Sequence, residues 1–359
     1  MEKTKFAIIG AGNGGQSFAG HLTLLGYPVS LFDVEKVKLD GLMKTGIIKL
    51  TGAVEGNARI PLITGDIANA ISGAEVIMVV IPTVYQRSIA IAMAPFLVDG
   101  QIIVLNPGAT GGALEVRTAI QEAGCKANLI IAETHTLLYA CRSPQAGEAY
   151  IGGIKDEVEL ATLPASAATK VAAILNRPFP QFKAVENILV TSLNNANAMM
   201  HPAPTLLNAG RIESKSSFNY YSDGITPALA KVIEKLDAER LAIANALGVK
   251  VPTINDFYTA SYGATGADLY EQIQKVKAYE GIKGPTSLNT RYLFEDIPTG
   301  LVPLSLFGRA LGVSTPTMNA VIELGNILHG KNYWEEGRSL EKLGLAGKTP
   351  TEIRELVMN

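Results

Sequence analysis

The chain has 359 residues, enough for a large core and two domains, and its 47% hydrophobic and 18% charged content is that of an ordinary globular protein. A net charge of −2 argues against nucleic acid or an anionic membrane as the main partner. Two cysteines, Cys125 and Cys141, lack metal-ligand spacing and suit a reducing cytoplasm, and neither a signal core nor a bilayer-length apolar run is visible.

The run Phe6–Ile9 predicts a buried parallel strand. It leads into Gly10-Ala-Gly-Asn-Gly-Gly15, where Gly10, Gly12 and Gly15 have the spacing G-x-G-x-x-G, and then into a helix expected from Gln16 to Leu25. Gly10 permits a tight turn, Gly12 lets the backbone approach a pyrophosphate, and Gly15 lets the helix pack close to the strand. Asn13 and Gly14 complete this cradle at a helix N-terminus, whose N–H groups attract phosphate. A second run, Val29–Phe32, ends in Asp33, 18 residues after Gly15. A carboxylate there can bind both ribose hydroxyls of NAD and would repel the 2′-phosphate of NADP, so NADH is the expected cofactor.

A charged helix is expected from Glu35 to Thr45, then a hairpin insertion over Ile47–Ile60, and Asp66 as the cap of a short helix. Glu75–Ile81 reads as a central strand ending at Pro82, followed by a helix over Tyr85–Ala94 and a strand over Gln101–Leu105. The loop Asn106-Pro-Gly-Ala-Thr-Gly-Gly112 then lies at a strand's carboxyl end, where open α/β sheets bind ligands. Pro82, Asn106, Pro107 and Gly108 are accordingly expected at the cofactor. A helix to Glu122 and a strand over Leu129–Glu133 follow, and Ala149–Ile154 and Glu157–Thr162 are two further strands that extend or decorate the sheet. The expected fold is α/β: a Rossmann dinucleotide-binding domain with extra strands over 1–187, then an all-helical domain over 188–359. Within the helical domain a single long segment is expected from Ile188 to Gly210, and helices over Thr226–Leu247, Leu301–Leu311 and Pro316–Leu328 end at glycines.

Chemistry must come from polar groups outside the fingerprint, because a dinucleotide fold does not select a reaction. Asn194, Asn197 and His201 fall at helical spacing on one face. Pro202 and Pro204 predict a break at the histidine, which would place an imidazole at an element end. His201 is the leading acid/base candidate, with a satisfied structural histidine as the alternative. His21 reads as a helix-surface residue, His135 could reach the cofactor edge, and a dipole contact explains His329 at a helix end. A catalytic imidazole needs an orienting carboxylate. Arg291, Glu295 and Asp296 precede a Pro-Thr-Gly turn, where Asp296 could orient the imidazole or merely start a helix. Arg291 could likewise be a surface ion pair. Tyr220-Tyr221 reads as core or pocket wall, and no metal site is expected.

Four stretches carry a family resemblance: Gly10–Gly15, Leu105-Asn-Pro-Gly-Ala-Thr-Gly-Gly-Ala-Leu114, Met200-His-Pro-Ala-Pro-Thr-Leu-Leu-Asn-Ala209 and Phe294-Glu-Asp-Ile-Pro-Thr-Gly-Leu-Val-Pro303. Over nearly its whole length the chain resembles the opine dehydrogenases of the octopine/nopaline family. The resemblance implies a Rossmann domain followed by a helical domain, with catalysis between them. It further implies His201 and Asp296 as the acid/base pair, with Asn197 and Arg291 in the substrate site. The implied reaction condenses a 2-oxo acid such as pyruvate with an L-amino acid and reduces the imine with NADH. The competing readings are a 2-hydroxy acid dehydrogenase without amine condensation and a non-catalytic NAD sensor. A cytoplasmic homodimer with small-molecule substrates, and without nucleic acid or membrane, is expected.

Overall fold

The computed structural model describes residues 3–359. It comprises two compact units, Met1–Ser192 together with Glu355–Asn359, and Leu193–Arg354. The division therefore falls beyond the expected 187. Thr191 and Ser192 stay with the first unit because their hydroxyls donate to buried Glu133 Oε1 at 2.7 and 2.6 Å.

The strands of the first unit are β1 (Phe6–Ile9), β2 (Val29–Phe32), β3 (Ile47–Gly52), β4 (Gly56–Arg59), β5 (Leu62–Thr64), β6 (Val76–Val79), β7 (Ile102–Leu105), β8 (Ile130–Thr134), β9 (Tyr139–Arg142), β10 (Glu148–Ile154), β11 (Val158–Leu163) and β12 (Phe182–Ala184). The main sheet has the order β12-β11-β8-β7-β6-β1-β2-β5. It is parallel from β5 to β8, and β11 runs antiparallel to β8. Every residue of β1, β2, β6 and β7 is buried, which is why these segments read as unbroken apolar runs rather than alternating ones. The register pairs Ile9 with Phe32 and Val79, Val79 with Leu105, and Leu105 with Glu133. Gly10, Asp33, Val80 and Asn106 consequently emerge along one carboxyl edge.

The hairpin expected over Ile47–Ile60 is present as β3 and β4, in a second sheet ordered β4-β3-β10-β9. Of the two extra strands expected, β11 extends the main sheet, whereas β10 joins this second one. The strands β5, β9 and β12 have no counterpart in the sequence pattern; at three or four residues they are too short to show a period. The first helix, Asn13–Leu24, begins inside the glycine fingerprint rather than after it. The second sheet is pinned to it by Gln16, whose Nε2 donates to Ser143 Oγ at 2.7 Å and whose Oε1 accepts from Gly147 N at 2.8 Å.

Among its described residues, the second unit is helical apart from a bridge between Asn219 and Lys283. The segment expected as one piece over Ile188–Gly210 is cut into Ile188–Leu193, Ala196–Met200, Pro202–Leu207 and Ala209–Glu213. Asn195 starts the second piece by accepting from Ala198 N, and Pro202 starts the third at its first position. Asn194 thus lies in the break and leaves the face that Asn197 and His201 share. The expected long helix is Pro227–Ala246, capped by Thr226. Its buried Arg240 is fully engaged by Asp237 Oδ1 and the carbonyls of Leu193 and Pro252. Glu239 of the same helix accepts from Thr317 N and Met318 N, capping the helix Pro316–His329.

Candidate active site

In the first unit the fingerprint leaves room where a phosphate would enter. A Cβ on Gly12 would meet nothing within 4 Å, whereas one on Gly15 would lie 1.7 Å from the Gly10 carbonyl oxygen, a clash that any side chain would make. Gly12 caps the helix without a side-chain hydrogen bond, so no side chain competes for the first-turn donors. Asp33 closes the edge: its Oδ2 accepts from Ala11 N at 2.7 Å and its Oδ1 from Glu35 N at 2.9 Å. Each oxygen keeps a further lone pair for a ribose hydroxyl. Lys38 Nζ stands 3.9 Å from the same carboxylate.

Other residues expected here have structural partners. Asn13 Oδ1 accepts from Ser143 N at 2.9 Å, tying the helix start to the second sheet. Pro82 precedes the turn Thr83–Tyr85, and the Pro107 carbonyl accepts from Gln86 Nε2 at 2.8 Å. Gly108 is required by close approach, since a Cβ would lie 2.6 Å from Glu133 Oε2. That oxygen accepts from Ala113 N, so Glu133 holds the loop and the helix Gly112–Glu122 together. Asn106 donates to the Val104 carbonyl, while its Oδ1 is buried without a partner. Such an orphan at the ligand edge fits a site that a bound group completes.

In the second unit the break at His201 is real, with φ −106° and ψ −52° between the two helices it joins. The carboxylate comes from Asp296, and His201 Nδ1 lies 2.7 Å from Asp296 Oδ2 with both side chains nearly buried. Burial holds the Asp296 carboxyl above its ordinary range, and the adjacent imidazole offsets only part of that rise. The expected Pro-Thr-Gly turn is instead a π-helical segment, Ile297–Leu301, running on into the helix Val302–Leu311. Leu301 N reaches back five residues to the Asp296 carbonyl, and the Pro298 carbonyl, freed from the regular ladder, accepts from Arg338 N. Gly300 lets this segment meet the helix before His201, where a Cβ would lie 2.7 Å from that of Ala198.

Asn197 is exposed one turn before His201, whose N–H its carbonyl accepts. Arg291 donates through Nε to Glu295 Oε2, the ion pair expected as its plain alternative, with its side chain still 60% exposed. The remaining histidines are engaged elsewhere. His135 Nδ1 accepts from Glu159 N, and burial followed by the charge of Lys155 lowers it to about 4. His21 is half-buried against Tyr139, and His329 lies between Tyr333 and the Leu288 carbonyl.

Around the imidazole stand Tyr220 and Tyr221, read from the sequence as core or pocket wall, and Tyr292, which sequence reasoning missed. Tyr292 stacks on His201 with ring centres 4.1 Å apart and 22° between planes. The Tyr221 hydroxyl lies 3.4 Å from His201 Nε2, and Tyr220 donates to the His201 carbonyl at 2.9 Å. The available signal was the spacing of Tyr292, four residues before Asp296 on the same turn.

Residues 5–124 match the NAD binding domain of 6-phosphogluconate dehydrogenase, and residues 184–329 match the alpha-helical domain of NAD/NADP octopine/nopaline dehydrogenase. The opine dehydrogenase of Arthrobacter sp. (strain 1C) is 45% identical over 358 residues, 99% of each chain. A structure of octopine dehydrogenase with NADH and L-arginine shares the fold at TM-score 0.83 and 21% identity, covering 99% of this chain and 98% of that one. Its counterpart with NADH and pyruvate gives 0.80 and 22%, covering 97% and 99%. The chain belongs to the opine dehydrogenase family, NAD-dependent oxidoreductases acting on CH–NH bonds.

Proposed function

We propose that this enzyme condenses an L-amino acid with a 2-oxo acid such as pyruvate and reduces the imine to an N-(1-carboxyalkyl) amino acid. The observation that carries the reading is the nearly buried His201–Asp296 pair at 2.7 Å. Asp296 accepts the Nδ1 proton and sets the tautomer, leaving Nε2 to carry a proton to and from substrate. Carbinolamine formation, its dehydration and the reverse hydrolysis each move a proton near neutral pH, which suits an imidazole so held. Arg291 pairs with Glu295 through Nε, and its terminal nitrogens suit a substrate carboxylate. Asn197, exposed on the His201 face, offers an amide to the same substrates.

Gly10, Gly12, Gly14, Gly15, Asp33 and Asn106 would hold the dinucleotide, an assignment supported by the open space at Gly12 and the orphaned Asn106 oxygen. NADH, when bound, supplies the hydride that reduces the imine. Asp33 favours it over NADPH by repelling a 2′-phosphate. The octopine dehydrogenase structures with NADH and either L-arginine or pyruvate support the same pairing of reactants. We also infer a cytoplasmic homodimer, supported by the free cysteines and by exposed Leu324, Ile327 and Leu328 on one helix face.

The test is an NADH-oxidation screen of 2-oxo acids against amino acids, with mass detection of the product. The expected result is oxidation that needs both reactants and a secondary amine as product. Undiminished oxidation with the oxo acid alone would instead assign a simple 2-oxo acid reductase.

A further inference from the structure

One side chain at the reactive edge of His201 has no part in the scheme above. Tyr221 places its hydroxyl 3.4 Å from Nε2, the imidazole nitrogen that Asp296 does not engage. Its ring is held on two sides, stacked on Tyr279 at 3.7 Å and 13° and edge-on to Tyr220 at 5.0 Å and 87°. Both neighbours are anchored. The Tyr279 hydroxyl bonds that of Tyr258 at 3.1 Å, and Tyr220 donates to the His201 carbonyl. The Tyr221 hydroxyl is therefore held beside the nitrogen that exchanges protons.

A substrate oxygen sharing a proton with Nε2 sits about 2.8 Å from it. Because the phenol oxygen is 3.4 Å from that nitrogen, one substrate oxygen can lie about 2.8 Å from both. We propose that Tyr221 is a further catalytic residue, its hydroxyl donating a hydrogen bond to the oxygen on C2 of the 2-oxo acid and holding it against His201 Nε2. This rests on His201 being the proton carrier. Addition of the amine to C2 builds negative charge on that oxygen, which a fixed donor stabilises. That oxygen takes up the proton shed by the adding nitrogen, giving the carbinolamine. In the dehydration that follows, Nε2, protonated earlier when it freed the amine from the substrate ammonium, gives its proton to the carbinolamine hydroxyl. The C–O bond breaks, the nitrogen lone pair closes the C=N bond, and water leaves. Tyr221 itself gains and loses no proton. Burial raises its phenol well above the ordinary range, which keeps it a neutral donor throughout.

Tyr221→Phe keeps the stacked ring and removes only the hydroxyl. The variant is assayed in the oxidative direction with NAD+ and the secondary amine identified by the screen above. Hydride transfer precedes water addition to the imine, so the expected trace is a rapid NADH burst followed by a steady state about 10²-fold slower than wild type. The NADH dissociation constant, read by fluorescence, stays at the wild-type value. A wild-type steady state, or a burst slowed as much as the steady state, would overturn the proposal. His201→Ala separates the two claims. Lost turnover in H201A beside normal turnover in Y221F overturns the role of Tyr221 alone, whereas normal turnover in H201A overturns the acid/base reading beneath it. Tyr221→Leu, which also lacks the hydroxyl, carries the same expectation if the Phe variant does not accumulate folded.

Discussion

Gly300→Ala strikes the contact that spaces the two segments carrying the proposed acid/base pair, His201 and Asp296. The added methyl would lie 2.7 Å from the Cβ of Ala198, where carbon atoms prefer about 3.5–4.0 Å. Ala198 stands three residues before His201, and Gly300 four after Asp296, so relief of the clash drives these segments apart by roughly 1 Å. The 2.7 Å hydrogen bond between His201 and Asp296 does not survive such a shift. Overpacking of this kind costs about 1–3 kcal/mol, or roughly 3–9 °C in Tm for a unit of this size. A misplacement of about 1 Å can lower the rate about 10²-fold. Thermal melts and steady-state NADH oxidation should show both losses, with the NADH dissociation constant unchanged because the fingerprint lies in the other unit. Adding Ala198→Gly removes the opposing methyl and should return most of the rate. A G300A enzyme with wild-type kcat and Tm would refute the spacing argument.

His201→Ala should lower kcat about 10²-fold or more while NADH still binds, as titration of the NADH fluorescence would report; unchanged kcat would take the imidazole out of the mechanism. Asp33→Ala also frees the N–H groups of Ala11 and Glu35, and should weaken NADH more than NADPH; equal losses in paired titrations would argue against ribose binding. His135 gives a pH dependence of stability. Its folded-state value of about 4 lies below the ordinary 6.5, so the unfolded chain takes up the proton first. The contribution is full above pH ~6.5 and is lost as pH falls toward about 4, the loss reaching about 2 kcal/mol by pH 5. Urea unfolding at pH 7.5 and pH 5, set against His135→Gln, should show that difference; identical pH dependence in the two proteins would count against it.

Much of the first unit could be read from local pattern because its signals are local. Buried parallel strands are continuous apolar runs, and Phe6–Ile9, Val29–Phe32 and Ile102–Leu105 read directly as such. Gly312 and Gly330 mark helix ends because each adopts a left-handed conformation. Where the pattern misled, a side chain overrode it. Asn195 capped a new helix inside a run that looked continuous, and Pro298 carried its turn into a π-helical segment. The destination of β10 depended on pairing partners in β3 and β9, about which its own residues say nothing.

The sequence by itself determined the dinucleotide edge, since fingerprint, strand ends and Asp33 lie close along the chain and the parallel register aligns them. It also marked His201 through its proline break. The family resemblance implied that Asp296, 95 residues away, partners that imidazole, but only the tertiary structure decided how it reaches the ring and that Tyr292 and Tyr221 enclose it. Helical and strand periods relate residues a turn or a pleat apart. A contact across 95 residues is set by how closely helices pack, here at Gly300 against Ala198, and no local pattern encodes that distance.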